Sequence, residues 1–156
     1  YVAPAQINLE ITETAAAHSD MLENNIKILH KQGIEFSLDD YGSGYSNTDY
    51  LFRFPFRIVK IDKTILWEAF KNEKAMIALR NTIRMIKELG LEIVVEGVEN
   101  QEYVDYLTEQ HCDYLQGYFY SKPIPDRDFL ELLRRENAQY YAERFSKNEL
   151  SDIITT

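Results

Sequence analysis

Cysteine, histidine, basic charge and long apolar runs are what this 156-residue chain has least of. The single cysteine, Cys112, excludes an internal disulfide framework and a Cys-rich zinc module, and reads as a small buried hydrophobe. Three histidines, His18, His30 and His111, fall within helical segments or at their ends, so a zinc site built on imidazole and thiolate is not expected. Lys and Arg number 17 against 26 Asp and Glu, giving a formal charge of −9. That balance excludes a general DNA- or RNA-binding surface, which needs clustered cations to neutralise phosphates. No apolar run of about 18 residues is present, nor the basic-then-apolar start of a signal peptide. A cytoplasmic protein is expected, or the cytoplasmic portion of a longer, membrane-attached one. The chain opens on Tyr1 and enters a strand-like pattern within a few residues, so we expect it to be part of a longer protein.

What is present is core material: 45% apolar residues, with eight Phe and eleven Tyr, at a length that can bury a sizeable interior. Short apolar segments alternate with longer amphipathic ones. Strands are predicted at residues 7–12, 35–39, 58–62, 91–96 and 113–118. A helix over 20–31 carries Met21, Leu22, Ile26 and Leu29 at helical spacing, with Asp20 and Glu23 as a capping box and Gly33 beyond its end. The segment 72–89 is clearer, with Asn72 as cap, the stripe Met76, Leu79, Ile83 and Ile86, and Gly90 as stop. Helices over 100–110 and 126–135 also open on Asn or Asp. Residues 138–156 read as a C-terminal helix or tail, which sets a boundary after residue 137. Repeated strand, loop and helix imply a parallel sheet covered by helices, and doubly wound and barrel arrangements both satisfy that pattern.

Side chains alternate across a strand. Each predicted strand therefore presents a polar group near its C-terminal end, opposite its helix-directed aliphatics: Glu10, Asp39, Lys60, Glu96 and Gln116. Any one of them reads equally as a solvated strand end, and Lys60 also as a structural ion pair. Five in succession point instead to the C-terminal rim of a parallel sheet, where α/β enzymes keep their active sites. The doublet Asp39-Asp40 precedes a loop, residues 41–46, with glycines at 42 and 44, and paired carboxylates at a strand end can hold a hard cation.

In order and spacing, Leu9-Glu10-Ile11-Thr12-Glu13, Asp39-Asp40-Tyr41-Gly42-Ser43-Gly44-Tyr45-Ser46, Val59-Lys60-Ile61-Asp62, Val95-Glu96-Gly97-Val98-Glu99 and Gln116-Gly117-Tyr118 with Lys122-Pro123-Ile124-Pro125 resemble the motifs of EAL domains, which hydrolyse cyclic di-GMP. The resemblance covers residues 1–136 and makes 1–137 the C-terminal portion of such a domain. It implies a partial (β/α)8 TIM-type barrel of about five parallel strands with covering helices. It also implies a two-metal phosphodiesterase that uses Mg²⁺ or Mn²⁺ to open cyclic di-GMP to linear pGpG. Carried over motif by motif, Glu10, Asp39, Asp40 and Glu96 resemble metal ligands. Lys60 resembles the lysine that contacts the attacking water, and Glu96 is also the candidate general base. Gln116 and Asp62 are expected to position water or substrate, Glu13 to anchor the loop after Asp40, and Glu99 to support the site. Val95 stands where the family commonly has Ala. The family's Glu-Ala-Leu stretch and a further Asn ligand would precede Tyr1, so this chain by itself is expected to be impaired and to self-associate through open strand edges. An upstream regulatory or cyclase-type domain is expected in the longer protein. The alternatives are an inactive receptor for cyclic di-GMP and a regulatory interaction module.

Overall fold

The computed structural model describes residues 2–16, 20–44 and 48–144. It divides into two units, Tyr1–Tyr120 and Ser121–Thr156. In the first, five strands alternate with helices: β1 (Asn8–Thr12), α1 (Glu13–Ala16), α2 (Asp20–Lys31), β2 (Glu35–Tyr41), α3 (Asp49–Arg53), β3 (Phe56–Ile61), α4 (Lys63–Ala69), α5 (Glu73–Glu88), β4 (Glu92–Val95), α6 (Gln101–Glu109) and β5 (Tyr114–Leu115). All pairs are parallel and the order is β1-β2-β3-β4-β5. Each new strand is added beside the last, so there is no switch point of the doubly wound kind; this is the strand succession of a barrel wall.

Alternation within the strands accounts for the core. Ile11, Phe36, Leu38, Val59, Ile61, Ile93 and Val95 are buried, together with Ile26 of α2, Leu66 of α4, Leu79, Ile83 and Ile86 of α5, and Leu107 of α6. The expected caps form at two helices. Asn72 accepts a hydrogen bond from Lys74 N at 2.9 Å and Asn100 one from Tyr103 N at 2.9 Å, each satisfying a free first-turn donor. At α2 the Asp20 side chain of the expected box lies outside the described ones; the Glu23 carboxylate accepts from Lys27 at 2.5 Å and Arg53 at 2.8 Å. Three α-helices were not anticipated, α1, α3 and α4, all short.

β5 is shorter than predicted, two residues against six. The cause is Gly117. A Cβ there would meet the Val98 carbonyl oxygen at 2.0 Å, so the chain closes onto Val98 backbone and leaves the sheet. Val98 N donates to Gln116 O at 3.1 Å and Phe119 N to Val98 O at 3.0 Å. In the second unit, α7 spans Asp126–Arg144. It runs through residue 137, where the sequence placed a boundary.

Candidate active site

The C-terminal ends of β1 to β4 converge on Lys60. Its ammonium lies 2.8 Å from Asp39 Oδ1, 3.0 Å from Glu96 Oε1 and 3.1 Å from Glu10 Oε1. The lysine is buried, with 11% of its side chain exposed, whereas Glu10 is half in solvent. Burial pulls the ammonium's pKa down, but contacts with Asp39, Glu96 and Glu10 outweigh it and hold Lys60 well above the ordinary lysine range. Lys60 is a fixed positive charge.

Asp39 and Asp40 are neighbours in a strand, where alternation would send them to opposite faces. A register shift prevents it: Leu38 pairs with Val59 and Tyr41 with Ile61, so three steps along β2 match two along β3. The extra residue is absorbed by Asp40, whose φ of 57° lies in the left-handed region that aspartate tolerates. As a result Asp39, Asp40 and Glu96 each offer a carboxylate oxygen within 4.8 Å of the others. Asp39 Oδ1 is buried and makes no hydrogen bond of acceptable geometry, its contact with Lys60 being ionic.

These residues fit a divalent metal. Three clustered carboxylates repel one another by about 4 kcal/mol per pair at 4 Å and an effective dielectric of about 20, and a buried oxygen without a hydrogen bond has lone pairs to give. Oxygen donors alone favour a hard ion. Glu10 reaches Lys60 but stands outside the three-carboxylate cluster.

The surrounding residues hold this arrangement. Glu13, buried at the start of α1, accepts from Gly42 N at 3.0 Å and from the Tyr50 hydroxyl, tying down the chain just after Asp40. Gly42 has φ 88°, and a Cβ there would strike Ile65 Cδ1 at 2.1 Å. Asp62 is buried and caps α4, accepting from Thr64 N at 2.9 Å and from the Thr64 hydroxyl. Its carboxylate thus sets the helix that follows Lys60. Gln116 donates to Glu96 Oε1 at 3.3 Å. Glu99 lines a cavity of about 210 Å³ with Lys63, Trp67, Glu96, Gln116 and Tyr118. Tyr45 and Ser46 of the loop motif, like His18, lie outside the described residues.

Two contributors were not anticipated. Tyr50 is an ordinary core aromatic by pattern, and only the fold shows its hydroxyl on Glu13. Trp67 donates its indole N–H to Gly97 O at 2.8 Å. A lone tryptophan amid apolar residues signals an N–H in need of a partner, without saying which.

Parallel strands wound in sequence, with carboxylates and one buried lysine meeting beyond their C-terminal ends, define a barrel-type α/β domain with a cation-competent site. The chain belongs to the EAL domain family, whose sequence profile matches residues 1–123. RocR of Pseudomonas aeruginosa, a cyclic di-GMP phosphodiesterase by name, is 34% identical over 133 residues, covering 84% of this chain and 34% of RocR. A structure described as a PaMucR phosphodiesterase in complex with c-di-GMP superposes with a TM-score of 0.77 at 31% identity, over 82% of this chain and 52% of that one. The Klebsiella pneumoniae protein BlrP1, solved with manganese and cyclic di-GMP, gives 0.72 at 28% identity, over 78% of this chain and 31% of that one. This chain thus spans about a third of the length of RocR.

Proposed function

We propose that the complete domain of which this chain is a part hydrolyses cyclic di-GMP to linear pGpG with divalent metal ions. The observation that carries the reading is the convergence of Asp39, Asp40 and Glu96 within 4.8 Å, beside the Lys60 ammonium. Likeness to RocR, to the PaMucR complex and to BlrP1 supplies the substrate class, and the manganese in BlrP1 supports a divalent ion. Mg²⁺ or Mn²⁺ would suit the all-oxygen donor set.

Asp39, Asp40 and Glu96 would hold the metal, with Glu10 as a further ligand. Bound there, divalent ions would offset the phosphate charge of the substrate and lower the pKa of water. The chain's own residues do the rest. Lys60, held cationic, donates a hydrogen bond to the attacking water and keeps the carboxylates from spreading apart. Glu96 takes the water's proton, steadied by Gln116. The water oxygen bonds to phosphorus, the bond from phosphorus to the 3′ oxygen breaks, and that oxygen leaves with the proton that Glu96 took from the water. Glu13 fixes the loop beyond Asp40, and Asp62 fixes the start of α4. Glu99 faces the adjoining cavity.

Incubation of the complete domain with cyclic di-GMP and Mn²⁺ or Mg²⁺, followed by chromatography, is expected to yield pGpG in a metal-dependent manner, and this chain by itself to yield far less. Binding of cyclic di-GMP without product would establish a receptor instead. Neither binding nor product would leave an interaction module.

A further inference from the structure

Glu96 stands at the point where β4 ends; Val98, two residues on, is held by Gln116 O and Phe119 N, and between them Gly97 leaves the ladder. Glu96 N still donates to Ile61 O at 3.0 Å, but the next residue, Gly97, has turned to φ 73°. Beyond a strand end, a carbonyl must find another donor or water. Gly97 O finds the indole of Trp67 at 2.8 Å.

The approach is close. A Cβ on Gly97 would lie 3.0 Å from Trp67 Nε1 and 2.3 Å from Lys63 Cβ, so the turn fits against α4 only because residue 97 is glycine. The Lys63 ammonium lies over the Trp67 ring, 5.5 Å from its centroid. α4 begins at the Asp62 cap, two residues beyond Lys60. The hydrogen bond from Trp67 therefore spans from the helix attached to the Lys60 strand to the turn attached to Glu96. It closes a loop whose two ends are the partners of the 3.0 Å Lys60–Glu96 ion pair.

We infer that Trp67 is a positioning residue for Glu96, acting through the Gly97 carbonyl to fix where the Glu96 carboxylate stands relative to Lys60, Asp39 and Asp40. This deepens the phosphodiesterase reading and rests on it for the reaction, though not for the metal. Backbone bonds at Glu96 N and Val98 hold the two sides of the turn, and the bond from Trp67 fixes the peptide between them; partners behind metal ligands typically govern affinity by about 10 to 100-fold. Hydrolysis should respond in kcat, because Glu96 acts in the chemical step as ligand and base.

The test compares Trp67→Phe, which keeps an aromatic ring and removes the N–H, with Trp67→His, whose ε nitrogen occupies the ring position equivalent to the indole nitrogen and restores a donor. Mn²⁺ affinity is measured by titration calorimetry on the protein without nucleotide, and kcat and KM for cyclic di-GMP are measured separately. W67F is expected to weaken Mn²⁺ binding about tenfold and to lower kcat to a similar degree with KM within about twofold, and W67H to recover most of both. Wild-type Mn²⁺ affinity in a folded W67F overturns the inference, as does an equal loss in W67F and W67H, which would assign the effect to ring bulk. Should W67F fail to fold, W67H decides: near-native Mn²⁺ affinity upholds the donor, and its loss overturns it. A complete wild-type domain that binds Mn²⁺ and makes no pGpG defeats the phosphodiesterase reading alone, and the calorimetric comparison then still judges Trp67.

Discussion

Lys60 Nζ lies 2.8 Å from Asp39 Oδ1, a buried oxygen that no hydrogen bond satisfies. Both the ammonium and a metal ion would neutralise that oxygen, so in the metal-free protein Lys60 is the main counter-charge for the cluster. In the complete domain Lys60→Ala should lower turnover by about 10² to 10⁴, the range for loss of a positioned acid–base or hydrogen-bonding group. Its metal-free melting temperature should fall modestly and rise on Mn²⁺ addition by more than in the wild type, which differential scanning calorimetry would show. Near-normal turnover would reduce Lys60 to a structural ion pair.

Asp40 combines two requirements, a left-handed backbone and a carboxylate. Asn meets the first alone, whereas a β-branched residue in that conformation costs about 1–2 kcal/mol. Asp40→Asn should therefore unfold in urea like the wild type while binding Mn²⁺ more weakly, and Asp40→Val should lose both stability and metal. Unchanged Mn²⁺ affinity in D40N would remove Asp40 from the ligand set.

Glu13 is buried and divides its carboxylate between Gly42 N and the Tyr50 hydroxyl. Tyr50→Phe strips one partner from a buried anion, for which a cost of about 1–3 kcal/mol is typical. Equilibrium urea denaturation should show it. A change below about 0.5 kcal/mol would mean that water takes the hydroxyl's place.

Burial, with Asp113 adding to it and Lys87 opposing it, pushes the Cys112 thiol up to about 11 from its ordinary 9.0. An acid whose folded pKa is raised contributes stability that is whole below the unfolded value and declines as pH climbs from 9 toward 11, because only the unfolded chain ionises in that window. Alkylation by iodoacetamide at pH 8 should be slow and should accelerate on adding urea. Fast alkylation of the folded protein would contradict the burial of this thiol.

At the acid end, hydrogen bonds from Lys27 and then Arg53 hold Glu23 down at about 2. A depressed carboxylate contributes stability present above its unfolded value of 4.5 and lost as pH falls toward 2. An NMR titration of the Glu23 side chain should place its midpoint near the lower figure, and Arg53→Ala should move it upward. The surface position of the pair keeps the effect sensitive to salt.

The strand and helix succession, the outward aliphatic stripes and the Asn72 and Asn100 caps were legible from residue order, because periodicity of 2 or 3.6 and a capping side chain are local properties. So were the polar groups at the strand ends, Glu10, Asp39, Lys60, Glu96 and Gln116. Short helices α1, α3 and α4 were not, since a stretch of four to seven residues has too few turns to display a stripe.

What residue order determined about this protein is which chemical groups stand at the ends of which strands. Tertiary structure decided how they meet. Alternation alone would part Asp39 from Asp40, and the register shift against β3 brings them to one site. β5 stops after two residues because Gly117 lets the chain pack on Val98, a contact between segments about twenty residues apart that no local pattern encodes. The partners of Glu13 and of the Gly97 carbonyl, Tyr50 and Trp67, come from elements 37 and 30 residues away. Hydrogen bonds over such separations depend on where packing leaves an unpaired donor, and packing is a property of the whole fold.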